Sequence, residues 1–209
     1  IIIALISTFG AVASSAIVGY AFARFRFPGR DLLFMLTLST MMLPVEVTLI
    51  PLYLLFAKIR WLDSFKPLII PSFFGGGAFL IFLMRQFIMT IPKDLDEAAR
   101  IDGAGYLRIF WQIIAPLSVP ALATAAILTF MGHWNEFLQP FIFLNDKNKY
   151  TLAIGIKYFQ EVAGNVDSME HRQNILMAAS VMMTAPIILL FFLAQRYFVR
   201  GIVMSGIKG

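Results

Sequence analysis

Apolar residues run along this chain in long, nearly unbroken stretches, and charged residues gather in the short segments between them. Crossing about 30 Å of hydrocarbon takes about 20 mainly apolar residues in a helix. Five stretches reach or approach that length: Ile1 to Ala23, Leu32 to Ala57, Pro67 to Met84, Ile113 to Gly132 and Ile175 to Ala194. In lipid every backbone polar group must find its partner within the protein, so the pattern predicts a bundle of helices. Gly75, Gly76 and Gly77 interrupt the third stretch, and they read first as a packing site where a neighbouring helix approaches bare backbone. Pro44, Pro51, Pro116, Pro120 and Pro186 fall inside stretches; each removes a backbone donor, so kinks or breaks are expected. The longest polar stretch, between Trp134 and Asn174, predicts an outer-face loop carrying a partly buried helix. With no internal repeat, low-complexity tract or second domain visible, residues 1–209 read as one all-α transmembrane domain.

Composition strengthens the membrane reading. The 209 residues are 59% hydrophobic and 14% charged, with a mean hydropathy of +0.80, whereas soluble domains carry about 25% charged residues. So few charges could not cover a soluble surface without large apolar patches. The net charge of +5 suggests nucleic acid at first, but the 17 basic residues form no stripe that could track phosphates. Membrane topology accounts for them better. If the turn after the first stretch is cytoplasmic, ten basic residues lie inside (Arg24 to Arg30, Arg85 to Arg108, Arg196 to Lys208) and seven lie outside. That bias places the C-terminus and the segment from Arg85 to Gln112 in the cytoplasm. Cysteine is absent, which removes disulfide and thiolate-metal readings. The chain opens at Ile1, inside an apolar stretch without the charged start of a signal peptide, so upstream sequence is expected.

One segment, residues 91–112, departs from the membrane pattern. Asp94 followed three residues later by Glu97 resembles a capping box, and Leu95, Ala98 and Ile101 recur at helical spacing to make a short amphipathic face. Gly103 and Gly105 are expected to stop that helix, because glycine takes the left-handed conformation of a helix end. The product is a short helix outside the membrane with small Ala98 and Ala99 on its surface. Two uses are open to it: a docking surface for a large partner, or a connector lying on lipid headgroups.

A resemblance bears on that choice. The run Glu97-Ala98-Ala99, two residues, Asp102-Gly103-Ala104, and then Ile114-Ala115-Pro116-Leu117 resembles the EAA loop of binding-protein-dependent ABC importer permeases (MetI-like). The segments Tyr20 to Gly29, Met42 to Pro44, Leu49 to Tyr53, Trp134 to Phe137 and Gln195 to Gly201 are similar to its carbohydrate-uptake branch, so nearly the whole chain is covered. The resemblance implies a polytopic permease, five spans of an expected six. It implies a coupling helix within residues 91–112 seated in a cleft of an ATPase subunit through Glu97, Ala98, Ala99, Asp102, Gly103 and Ala104. It further implies a second homologous permease, two ATPase subunits that bind the ATP and Mg, an extracytoplasmic solute-binding protein, and a bacterial or archaeal cytoplasmic membrane. The ending from Gly201 to Gly209 is similar to the tail of the second permease subunit of maltose-type transporters, which places Ser205, Gly206 and Lys208 at the ATPase interface; a frayed terminus is the plain alternative.

Other residues carry weaker signals. His133 and Glu136 share a helical face, but two ligands do not make a metal site and no catalytic group is expected. Trp134 is expected to anchor a helix end at the interface, with Asn135 and Glu136 hydrogen-bonding at the outer mouth of a translocation path. Glu46 follows Pro44 in an apolar stretch, where a carboxylate costs about 2.5 kcal/mol or more unless it meets water or a partner. It is expected to face inward and line the path. No phosphate-binding glycine loop occurs, so this chain is expected to bind no nucleotide and no cofactor. The alternatives are an ABC permease for amino acids or peptides, and an ATP-independent secondary transporter, which would show the inverted repeats that are not found here.

Overall fold

The computed structural model describes residues 1–163 and 169–205, with side chains described for 1–158 and 174–192. Among the described residues every regular element is helical. In chain order these are α1 (Ile2–Arg24), α2 (Arg30–Ser39), α3 (Val45–Lys58), α4 (Lys66–Ile69), α5 (Ala78–Thr90), α6 (Asp94–Ile101), α7 (Tyr106–Ile109), α8 (Ala115–Leu117), α9 (Val119–Asn135), α10 (Leu138–Phe143), α11 (Leu152–Ala163) and α12 (Met169–Ser205). Short 3₁₀ turns follow α2, α4 and α10, and a π-helical turn, Phe110–Ile114, joins α7 to α8.

Three segments are long and apolar enough to cross a membrane as they stand: Ile2–Arg24, Lys66–Thr90 and Asn174–Phe192. Two further pairs qualify when each bent pair counts as one span, which makes five. Arg30–Met42 and Val45–Lys58 meet at 98°, and Tyr106–Leu117 and Val119–Asn135 meet at 77°. Proline explains where the bends fall. Pro44 lies at the first bend, and Pro116 and Pro120 flank the second at Ser118, each withholding an N–H from the preceding turn. Pro51 and Pro186 behave differently from the expectation, since α3 and α12 continue through them.

The spine of the bundle is α1, which packs most extensively on α5 and α9. It does so because its buried positions are small: Ala4, Ser7, Ala11, Ser15 and Gly19 recur at three- and four-residue spacing and let neighbouring backbones come close. A Cβ at Gly19 would lie 2.7 Å from Met84 Cβ, and one at Gly10 would lie 2.5 Å from the Phe73 ring. Ser7 Oγ donates to the Leu68 carbonyl at 3.0 Å and Ser14 Oγ to the Ser72 carbonyl at 3.2 Å, satisfying carbonyls of the irregular stretch before α5. The three glycines of that stretch do more than pack. Gly75, Gly76 and Gly77 all have positive φ (91°, 64° and 99°), so they break the helix between Phe73 and Ala78. Gly76 also sits against the Ala11 backbone, where a side chain has no room. Break and close approach occur at one place.

The polar stretch after Trp134 carries α10 and α11, with Ala153 and Ile154 of α11 buried, in keeping with a loop that holds a partly buried helix. Asp63 fastens it. Its Oδ1 accepts from the Asn145 and Asp146 amides at 3.2 and 3.0 Å, and Lys149 Nζ donates to its Oδ2 at 2.9 Å and its carbonyl at 2.7 Å. Those donors hold the Asp63 carboxyl below its ordinary value, the Asp146 amide most strongly, and the Asp63 hydrogen bond raises Lys149.

Candidate functional site

Residues 91–110 fold as a charged excursion beyond the ends of α1 and α5. Its first half, α6, begins differently from the capping box the spacing suggests. Lys93 occupies the N-cap, no side chain caps the helix, and Asp94, Asp96 and Glu97 all fall in the first turn. Three carboxylates there meet the positive end of the helix dipole, which does part of the work of a cap. The far end follows the sequence closely. Gly103 has φ 80°, its amide donates to the Arg100 carbonyl at 3.0 Å, and the Ala104 amide donates to the Ala99 carbonyl at 2.9 Å. That pair of bonds is a Schellman closure with glycine in the left-handed position. Gly105 plays another part, being extended and opening α7.

The two faces of α6 are sharply distinct. Leu95, Ala98 and Ile101 form an exposed strip, and Ile101 is 88% exposed. Such a strip is costly in water and calls for a cover. Glu97, Asp102 and Gly103 are exposed beside it. Ala99 and Ala104, expected in the same contact set, instead pack inward against a core of Tyr20, Met84, Ile88, Ile91, Ile109 and Phe110. Four of the six expected contact residues are thus open to a partner, and two serve the seat of the helix.

Beneath α6 lies a pair that the sequence did not signal. Arg24, the last residue of α1, and Asp96 have side chains only 3% and 9% exposed, with Arg24 Nε 2.7 Å from Asp96 Oδ2. The contact is an ion pair without hydrogen-bond alignment, and among the described residues Asp96 Oδ1 and Arg24 Nη1 have no hydrogen-bond partner. Arg24 Nη2 donates to the Ile91 carbonyl at 2.8 Å. Removing one member of a buried pair strands the other and costs about 3–5 kcal/mol. Around the pair, Tyr20 Oη donates to the Tyr106 carbonyl at 3.3 Å, and Phe25 and Tyr106 rings meet edge to face at 4.8 Å. Arg100 lies 4.6 Å over the Tyr106 ring.

The remaining candidates do not join this cluster. Glu46 stands exposed in the first turn of α3, with no hydrogen bond or ion pair among the described residues. Asn135 Nδ2 donates to the Met131 carbonyl at 2.9 Å, and Glu136 Oε1 accepts from the Leu138 and Gln139 amides at 3.0 and 3.2 Å, so Glu136 tethers the start of α10. Glu136 also lines a cavity of ≈ 380 Å³ with His133, Trp134, Gln139 and Tyr150, at the end of the bundle away from α6. Trp134 is turned to the protein interior: it stacks on Phe130, and its Nε1 donates at 2.9 Å to the Met183 carbonyl of α12. Ser205 ends α12, its side chain outside the described region, and Gly206 and Lys208 lie outside the described residues. No group of three His, Cys, Asp or Glu able to hold a metal occurs among the described residues.

Comparison with known proteins agrees with this architecture. The family profile described as "Binding-protein-dependent transport system inner membrane component" matches residues 11–204. The chain is 38% identical over 195 residues to the arabinooligosaccharides transport system permease protein AraQ of Halalkalibacterium halodurans, covering 93% of this chain and 67% of that one. It is 40% identical over 204 residues to the sn-glycerol-3-phosphate transport system permease protein UgpE of Yersinia pestis bv. Antiqua, covering 98% and 70%. Among solved structures, a chain of a bacterial ABC transporter involved in the import of the acidic polysaccharide alginate superposes with a TM-score of 0.79 at 29% identity, covering 94% of this chain and 73% of that one.

Proposed function

This chain belongs to the family of inner membrane components of binding-protein-dependent transport systems, and from that membership we propose that it carries a carbohydrate-class solute across a bacterial or archaeal cytoplasmic membrane, driven by ATPase subunits on separate chains. The solute is a sugar, an oligosaccharide or a glycerol-phosphate-like molecule, a class suggested by the relatives named above. The observation that carries the coupling is the exposed strip Leu95, Ala98 and Ile101 on α6, flanked by Glu97 and closed by Gly103. A groove in an ATPase subunit covers that strip, and the Glu97 carboxylate meets a basic group there and sets the register. Ala99 and Ala104 act at the same contact from behind, by holding the strip at its height.

The ATPase subunits bind the ATP and Mg, a second homologous permease completes the path, and an extracytoplasmic binding protein delivers the solute. Closure of the nucleotide-bound ATPase pair pushes α6 and rocks the bundle between inward-open and outward-open states. The α6 side is cytoplasmic, and since α12 follows the outer polar stretch and returns toward that side, the C-terminus is cytoplasmic too. Glu46, Asn135 and Glu136 line the path, Glu46 from the mouth of the bend at Pro44.

Co-purification tests the reading. The cognate ATPase subunit comes down with the wild-type permease and is lost with Glu97→Lys; unchanged retention together with unchanged transport refutes the docking role. The chain alone hydrolyses no ATP, and turnover by the purified chain refutes the division of labour. For the path, Glu46→Leu reduces transport; full transport by that variant removes Glu46 from it.

A further inference from the structure

Arg24 and Asp96 lie on the bundle side of α6, turned away from the strip that the ATPase subunit covers, so docking does not account for them. Nor does simple stability. An apolar pair of the same volume often holds two elements together as well as a buried ion pair or better, and among the described residues this pair leaves Asp96 Oδ1 and Arg24 Nη1 without hydrogen bonds. What a charged pair adds is a single register: one rotation of α6 brings Asp96 to Arg24, and every other rotation strands both charges.

The same arginine holds the entry to the segment through the Ile91 carbonyl. The exit is held by the end of α1 as well, through Tyr20 to the Tyr106 carbonyl and the Tyr20 ring on Phe110 at 5.2 Å. Entry, middle and exit are therefore all fastened to one turn of one helix. That helix is the spine of the bundle, locked to α5 where Gly19 leaves no room for a side chain against Met84 and the Arg85 amide.

We infer that Arg24 is a positioning residue that makes the segment from Ile91 to Phe110 move as one body with α1, so that a push on α6 is delivered to the α1–α5 core of the bundle. Without the tie, α6 pivots between Pro92 and Gly103, and the stroke of the ATPase is absorbed in the loop. This rests on the coupling role proposed above, and its test separates the two.

In the complete transporter, reconstituted in proteoliposomes with its binding protein, the quantity to read is solute imported per ATP hydrolysed. Arg24→Met keeps the ATPase subunit bound and hydrolysing but lowers that ratio by about tenfold, within the usual range of coupling between sites. The charge swap Arg24→Asp with Asp96→Arg restores it. A merely structural arginine would lower the yield of assembled transporter and leave the ratio of the surviving complexes unchanged, and that result overturns the inference. Should Arg24→Met fail to assemble, Asp96→Asn, which keeps the shape of the side chain, is read by the same ratio with the same two outcomes. Wild-type permease that retains no ATPase subunit sinks the coupling role itself; wild type and variants coupled equally well sink only the tie.

Discussion

Ile101→Ala tests the docking strip most sharply, because the residue gives almost nothing to its own fold. The change removes three side-chain carbons, worth about 2.4 kcal/mol on full burial at about 0.8 kcal/mol per carbon. With Ile101 88% exposed in the free chain, about 2 kcal/mol of that remains for a partner to gain. At 1.4 kcal/mol per tenfold, the dissociation constant for the ATPase subunit rises about 30-fold. The stability of the permease shifts by no more than about 0.5 kcal/mol, the usual effect at an exposed site. The assay titrates labelled ATPase subunit onto detergent-solubilised permease at fixed salt, with Ile50→Ala as control. Ile50 is 70% exposed but lies on α3, away from α6. A dissociation constant within twofold of wild type for Ile101→Ala, or an equal loss for Ile50→Ala, refutes the strip as the contact.

Three further predictions concern the scaffold. Gly103→Ala forces a Cβ into φ 80° with open space around it, so the loss is backbone strain of about 1–2 kcal/mol; Gly105→Ala, at φ −74°, is silent, and thermal unfolding of the two variants in detergent compares them. Gly19→Ala pushes a Cβ against Met84 and the Arg85 amide and costs about 1–3 kcal/mol by overpacking, whereas Gly132→Ala meets nothing within 4 Å and gains up to about 1 kcal/mol of helix propensity; equal melting temperatures count against the close α1–α5 contact. The Asp63 tether has a pH window: the carboxyl is held below its ordinary value near 3.8, so its contribution is complete above that value and is lost as pH falls through the lower folded one, while Lys149, raised above 10.5, releases as pH climbs past it. Trp61, stacked on Phe56 beside the tether, reports an acid transition in its fluorescence when Trp111 and Trp134 are replaced by phenylalanine, and Asp63→Asn abolishes that transition.

The spans, the excursion and its glycine end were legible along the chain because each records a one-dimensional constraint. Lipid demands about 20 apolar residues per helix, a left-handed helix end selects glycine at Gly103, and a proline such as Pro44 withholds an N–H wherever the chain goes. The EAA-like run from Glu97 to Ala104 was legible for the same reason, as a fixed spacing of small and acidic residues along a helix and its glycine end. Three-dimensional placement decided the rest. Gly75 to Gly77 read as a packing site and turned out to be a break as well, because positive φ is a property of the fold and not of the residue. Pro51 and Pro186 looked like Pro44 in sequence, yet their helices run on.

Which side of α6 faces the bundle depended on where α1 ends, and periodicity alone could not say whether the stripe of Leu95 and Ile101 or that of Asp96 and Ala99 is buried. Apolar residues usually go inward, and here the carboxylate did, because Arg24 waits at the end of α1 to meet it. Two charges far apart in the chain become partners only when the helices that carry them are brought together. The sequence alone therefore determined what this protein is made of and what it resembles, while the tertiary structure decided which residues tie its outward-facing helix to its core.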